Sequence, residues 1–391
     1  MTLINAQIHT CEDKVIKNGY ISFEKGRITA IGTMKKYTVT GDEIDVSGKM
    51  IYPGFIDAHT HLGMWEDSLG FEGDDGNEET DPATPQLRAI DAVNSFDKCF
   101  REALEGGVTT VVTGPGSANP IAGQNICVKT CGGRIDDIIV KSPVAMKMAL
   151  GENPKTVYHG KQEAPYTRMA TASIIREQLA LAVRYMRDIE KSENDPDTDA
   201  PDFDAKLDAL LPVVQKKLPV HFHAHRRDDI FTAIRIAEEF DLDYVIVHAT
   251  EGHLCASELE KCGAKVMSGP FLCDRSKPEL SNLSPASPGV MANAGIMTAI
   301  ITDHPVIPLQ YLPVCAGLAV REGMDRDEAI KAITINPAKI LGLDHMIGSL
   351  KVGKDADFAV YSQDPLNLCA KPEMVFVNGR LEYCANKECK Q

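Results

Sequence analysis

Apolar and polar positions alternate in short runs at both ends of the chain. Between those ends the pattern becomes a repeat of continuous apolar runs and helix-spaced stripes. Residues 17–23 follow an Asn-Gly step with alternating apolar positions, and residues 27–32 repeat the pattern. Residues 356–361 and 374–381 read the same way near the other end. Neither end carries enough strands for a stable sheet alone, and chain termini often lie close together. The pattern therefore predicts one small β-sandwich domain assembled from residues 1–53 and 346–391.

The middle of the chain, residues 54–345, reads as strand, helix, strand. Val93, Phe96, Phe100, Ala103 and Leu104 stand three and four apart, which predicts a helix closed by Gly106-Gly107. A strand over 109–113 follows, and apolar runs recur at 144–150, 219–225, 244–248, 265–267 and 296–303. Helical stripes over 175–189 and 229–240 fall between them. Repeated β-α units build a parallel sheet, either closed as a barrel or open and doubly wound. No G-x-G-x-x-G follows an early strand, so the open form lacks its usual mark and a (β/α)8 TIM barrel is the better reading. Two segments break the rhythm. Residues 66–81 are acidic and glycine-rich and read as a loop over the barrel mouth, while residues 190–204 read as a solvated connection between helices.

Composition narrows the function classes. The 391 residues suit one large and one small domain, and 43% hydrophobic with 25% charged residues describes an ordinary globule. No apolar run approaches the roughly 18 residues needed to cross a bilayer, and the first residues lack a secretory pattern. A formal net charge of -15 argues against nucleic acid as a partner. The 11 cysteines show no compact spacing, as expected of free thiols in a reducing cytoplasm. The expected partner is a small-molecule substrate, with no nucleic acid and no membrane; homo-oligomerisation is left open.

Candidate chemistry sits at the ends of the apolar runs. His59 and His61 flank Thr60, and a period of two projects both imidazoles from the same side of a strand. His223, His248 and Asp303 each end a run of their own. In a parallel barrel, C-terminal strand ends share one opening, so these five side chains would converge. Imidazole and carboxylate ligands suit zinc, and also manganese, iron or nickel.

These residues lie within longer motifs. They are the run from Pro53 to His61, His221-Phe222-His223-Ala224-His225-Arg226, Thr302-Asp303-His304-Pro305, Asn336-Pro337-Ala338-Lys339, and the tail from Gly348 to Asp357. With them the chain resembles the amidohydrolase superfamily, most closely its imidazolonepropionase-related branch, over nearly its whole length. The resemblance implies a (β/α)8 barrel with a small β-sandwich, one or two divalent metal ions, and hydrolysis of a carbon–nitrogen bond other than a standard peptide bond. His59 and His61 would bind the more buried metal and His223 and His248 the second or sole catalytic one. Asp303 would contact a metal and shuttle the proton. Binuclear relatives need an anionic bridge, for which Glu152, at a strand end, is preferred over a carboxylated Lys147, which lies mid-strand. His225 would touch substrate or support a ligand from behind. Arg226 would hold a substrate carboxylate or form a surface ion pair, and Tyr158 is a weaker substrate contact. Deaminases of this type place an acid three positions after the fifth-strand histidine, where this chain has Arg226. A deaminase, a prolidase-like dipeptidase and a non-catalytic scaffold remain the alternatives to an amidohydrolase acting on an amide, cyclic amide or dipeptide-like bond.

Overall fold

The computed structural model describes residues 1–12, 15–39, 41–67 and 69–386. Residues 13, 14, 40 and 387–391 of the expected small domain, and Ser68 of the expected mouth loop, lie outside the described residues. Strands from the two chain ends share one sheet. The N-terminal segment supplies β1 (Thr2–Ile8), β2 (Ile16–Glu24), β3 (Arg27–Thr33), β4 (Glu43–Asp45) and β5 (Met50–Pro53).

The barrel follows, as β6 (Phe55–Thr60), β7 (Val108–Thr113), β8 (Ile121–Lys129), β9 (Ile139–Ala149), β10 (Val220–Ala224), β11 (Tyr244–His248), β12 (Val266–Ser268) and β13 (Thr298–Ile300). The C-terminal segment adds β14 (Phe358–Tyr361), β15 (Met374–Val377) and β16 (Arg380–Cys384).

The small sheet runs β16-β15-β14-β5-β1-β2-β3, with β4 beside β1, so β5 and β14 join the two chain ends. The rings of Phe23 on β2 and Phe376 on β15 lie 5.5 Å apart, although three strands separate them along the sheet. Flat strands spaced about 4.8 Å apart would hold these rings roughly 19 Å from each other. The sheet therefore curls until its apolar face closes on itself, as a sandwich does. Phe358 stacks on Phe376 at 4.7 Å within that core.

Barrel strands neighbour one another in chain order from β6 to β13. Every residue of β6 and β7 is buried, because both faces of a barrel strand are covered. One strand departs from the expected all-parallel plan. β8 runs antiparallel to β7 and to β9, while the remaining neighbours are parallel. Its Gln124 and Asn125 interrupt the apolar run that the pattern reading relied on. The open side between β6 and β13 is bridged after β13, where Thr302 N donates to Asp57 Oδ2 at 2.9 Å and His61 N donates to the His304 carbonyl at 2.8 Å.

Outer helices deviate from the pattern at their ends. The expected helix through Val93 and Phe96 begins only at Lys98, since the Asp97 side chain caps Cys99 N, and Phe96 is exposed. The helix Arg168–Asn194 extends beyond 175–189 into the expected connection at 190–204. The helix Arg227–Phe240 buries Ile230, Ala233, Ile234 and Ala237 at the three- and four-residue spacing that faces a barrel. Barrel and small sheet are tied by Lys129 of β8, whose buried ammonium contacts Asp355 at 2.8 Å and also Asp357. Burial alone would depress this lysine, but Asp357 and Asp355 outweigh it and keep it charged. Thus the Gly348–Asp357 motif contributes structure, at the seam of the two units. No helix among the described residues is long and apolar enough to cross a membrane.

Candidate metal centre

Strand alternation builds the site. Asp57, His59 and His61 follow one another at every second position, as do His221, His223 and His225 from β10 onward. Asp57, fully buried, accepts from His59 N at 3.1 Å and from the Thr302 hydroxyl at 2.6 Å, which locks the end of β6 to the segment after β13. His248 closes β11, and Asp303 stands three residues beyond β13. Both adopt left-handed backbone, with φ of +75° and +55°. Such a conformation costs a non-glycine residue roughly 1–3 kcal/mol and persists only where the surroundings impose it.

Two groups of metal-competent side chains result: His59, His61 and Asp303, and His223, His225 and His248. Within each, one ligand atom per residue lies within 4.8 Å of the others. The groups adjoin, since the rings of His59 and His248 are 5.3 Å apart. Asp303 Oδ1 is 3.3 Å from Nε2 of His59 and 3.3 Å from Nε2 of His61.

The outer nitrogens determine what the inner ones can do. His61 Nδ1 lies 2.7 Å from the Gly114 carbonyl and His248 Nδ1 lies 2.7 Å from the Gly269 carbonyl. A carbonyl can only accept, so each Nδ1 carries a proton and each Nε2 is the nitrogen turned inward. Neither glycine could be replaced freely: a Cβ at Gly114 would lie 1.9 Å from Asn125 Oδ1, and one at Gly269 would lie 2.2 Å from the Ile301 carbonyl. Burial, with Lys147 second, pushes His59 down to about 3, and burial also pushes His225 down to about 3. His223 and His248 are held well below the usual histidine value, by burial first and by neighbouring imidazoles second. For Asp303 burial favours the neutral acid, but His248, His59 and His61 outweigh it and hold the carboxyl well below its ordinary range. Asp303 Oδ1, set between His59 and His61, has no hydrogen-bond partner. A cation there would satisfy that oxygen, and imidazole with carboxylate is a donor set that fits a divalent metal ion.

The other anticipated residues fall in different places. Lys147 on β9 is fully buried, with Nζ 3.1 Å from His59 Nε2 and its pKa lowered by burial to about 8. Glu152, preferred from sequence as the bridge, begins the helix Glu152–Lys161, and its carboxylate accepts the backbone N–H of Glu279 at 3.3 Å. The strand has ended by then, and Glu152 belongs to neither group. Of the two bridge candidates, Lys147 is the one that stands beside the histidines. His225 joins the second group directly. Arg226 is half-exposed and paired with Asp228 through two 3.0 Å contacts. Tyr158 is buried and donates to Asn119 Oδ1 at 2.7 Å, so it packs behind the cavity. Neither lines the cavity, and Arg226 forms the surface ion pair that was its alternative role.

A cavity of about 800 Å³ opens over the two groups. Its walls include Trp65, just before the loop expected over the mouth, and Asn77 within that loop, together with Asn153, Asp274 and Lys277. Sequence reasoning missed Glu279, which is buried with Oε1 3.7 Å from His225 Nε2. Standing alone within a polar loop, it carried no motif that could have revealed it.

Comparison with known proteins agrees with this geometry. A family model described as "Amidohydrolase family" matches residues 50–381. The chain is 29% identical to amidohydrolase tasK of Hapsidospora irregularis across 93% of its own length, but spans only 40% of that protein. It is 25% identical to the imidazolonepropionase of Fusobacterium nucleatum subsp. nucleatum, over 88% of this chain and 85% of that one. A solved amidohydrolase from Thermotoga maritima MSB8 shares 39% identity and superposes with a TM-score of 0.94, covering 98% of this chain and 99% of that one.

Proposed function

Because the chain belongs to the amidohydrolase family, in its imidazolonepropionase-related branch, we propose that it hydrolyses an amide, cyclic amide or dipeptide-like carbon–nitrogen bond of a small molecule with a divalent metal ion. One observation carries this reading: Asp303 and inward-facing imidazoles from several barrel strands meet beneath a single cavity. His59, His61 and Asp303 would hold one ion, and His223 with His248 would stand at the other. Zinc suits the nitrogen-rich set best, while manganese, iron and nickel accept the same ligands. When bound, such an ion supplies Lewis acidity and a water acidic enough to yield hydroxide near neutral pH.

The chain's own groups supply the rest. Asp303 is held ionised, so its carboxylate can accept the proton of the attacking water and return it to the leaving nitrogen. Burial keeps Lys147 at about 8, so a fraction of its amine is neutral near pH 7, the form that can react with carbon dioxide to give the carboxylated bridge. Trp65 and Asn77 narrow the entrance, and Lys277 at the rim offers a positive charge to a substrate carboxylate. Among the cavity walls there is no acid three residues after His223, which disfavours a deaminase.

A panel of cyclic amides, N-acyl amino acids and dipeptides, assayed with metal-reconstituted protein, tests the reading. Ammonia release is followed in parallel to detect deamination. Asp303→Asn should lower kcat on any substrate found by about 10²–10⁴-fold. Protein that takes up neither zinc nor manganese and turns over nothing in the panel would support the scaffold instead.

A further inference from the structure

The cavity over the metal centre differs in character at its two ends. Trp65 lies against His61, with ring centres 4.5 Å apart and planes at 83°. Its six-membered ring is packed on two glycines: a Cβ at Gly76 would lie 2.2 Å from Cζ2, and one at Gly116 would lie 2.9 Å from Cη2. The glycines are themselves joined, Gly116 N donating to the Gly76 carbonyl at 2.8 Å. The indole is thus fixed before a ligand arrives, and the surface it leaves uncovered lines the cavity. Pro305 and Val306 line it too, directly after His304, whose carbonyl accepts His61 N–H. This end is apolar.

The other end is polar. Asn153 Nδ2 donates to Ser117 Oγ at 2.7 Å and stands 3.5 Å from His223 Nε2, while its Oδ1 accepts from Lys277 Nζ at 2.8 Å. Lys277 is exposed and forms no salt bridge among the described residues, so its ammonium is held at the cavity wall without a counter-charge. Ring contacts connect the two ends: His61 to His59 at 5.1 Å, His59 to His248 at 5.3 Å, and His248 to His223 at 4.5 Å. A molecule that meets both ends therefore lies across the metal-competent side chains. The carboxylates of the wall are Asp303, committed to the metal centre, and Asp274, three residues from Lys277. A ligand ammonium at the Trp65 end would find neither of them free.

We propose that Trp65 and Lys277 are the specificity-determining anchors of this cavity, and that its substrate is an amino acid acylated on nitrogen by an aromatic group. The aromatic ring packs on Trp65, the free carboxylate meets Lys277, and the amide lies between them. Hydrolysis adds one water across that amide: the carbonyl carbon gains a hydroxyl, the C–N bond breaks, and the nitrogen gains a proton, giving an aromatic acid and a free amino acid. This rests on the amide-hydrolysing reading above and narrows it, setting aside neutral cyclic amides and dipeptides with a free ammonium.

Full-length protein loaded with Zn²⁺ is titrated with N-benzoylglycine, N-benzoylglycinamide and N-acetylglycine. Trp65 is the only tryptophan of the chain, so its emission reports contact at one end, and equilibrium dialysis gives the affinities. N-benzoylglycine should quench the emission and bind about tenfold more tightly than either comparison compound. Lys277→Met should erase the advantage over the amide and keep that over N-acetylglycine, and Lys277→Arg should restore the first. Equal affinities in wild type, an unchanged ratio in Lys277→Met, or bound N-benzoylglycine that leaves the emission unaltered would overturn the proposal. Release of benzoate and glycine is measured separately: binding with this preference but without hydrolysis would sink the proposed reaction and keep the anchors.

Discussion

Replacing Lys147 by Met should abolish turnover and yet stabilise the metal-free protein. The ammonium of Lys147 is fully buried, with His59 Nε2 at 3.1 Å as its hydrogen-bond partner. Burial lowers its pKa from 10.5 to about 8, the attraction of Asp303 opposing this only in part. A tenfold change in proton affinity is worth about 1.4 kcal/mol, so keeping this charge in the fold costs about 3 kcal/mol at neutral pH. Met has similar length and no charge, and it forfeits one hydrogen bond worth about 1 kcal/mol. The net expectation is a gain of about 2 kcal/mol. The pH dependence follows from the direction of the shift. The unfolded chain keeps the proton up to about 10.5, the folded chain only to about 8, so between these values the unfolded state binds more protons. Wild-type stability from this group is therefore flat below about 8 and rises with pH above it. The advantage of Lys147→Met should accordingly be largest near pH 7 and shrink towards pH 10. Urea unfolding of chelator-treated protein across that range measures both features. A variant no more stable than wild type at pH 7, or an advantage that does not shrink, would refute the claim that Lys147 is held against its own burial.

Two further substitutions separate cavity from scaffold. Arg226→Ala should leave kcat/KM within about twofold and stability within about 1 kcal/mol, because the side chain is solvent-exposed and paired with Asp228 outside the cavity; a tenfold loss in steady-state kinetics would return it to substrate binding. Asp57→Asn should cost about 2–4 kcal/mol in urea unfolding, because Asp57 accepts from His59 N, Thr302 N and the Thr302 hydroxyl, and an amide turns a donor towards one of them; wild-type stability in this variant would dissociate Asp57 from barrel closure.

What was legible in the sequence was whatever strand periodicity controls. His59 and His61 share a face because two residues separate them, and His223 and His225 do so for the same reason. His248 and Asp303 could be placed because apolar runs end at them, and a barrel brings such ends together. Periodicity also explains the errors. Glu152 was read as the tip of a strand, but Gly151 with φ of +87° turns the chain into a helix one residue earlier and sends that carboxylate to Glu279. The antiparallel β8 was missed because Gln124 and Asn125 sit where an apolar run was required, and Asn125 contacts His221 at 3.5 Å. A buried polar pair reads as a loop until its partner is known.

Glu279 represents the harder case, in which neither spacing nor composition helps. Its place is set by a backbone exchange with Glu152, a residue 127 positions away. The same holds for the left-handed backbone at His248 and Asp303, a region that sequence preference assigns to Gly or Asn. Neighbouring contacts impose it instead: Ala249 N donates to the Ala224 carbonyl at 3.0 Å, and Val306 N donates to the Asp303 carbonyl at 2.9 Å. Local preference is thus violated at the two strand ends that deliver an imidazole and the carboxylate to the cavity floor. Left-handed backbone also occurs at residues such as Lys25 and Asn378, but at His248 and Asp303 the side chain that bears it is one the chemistry requires.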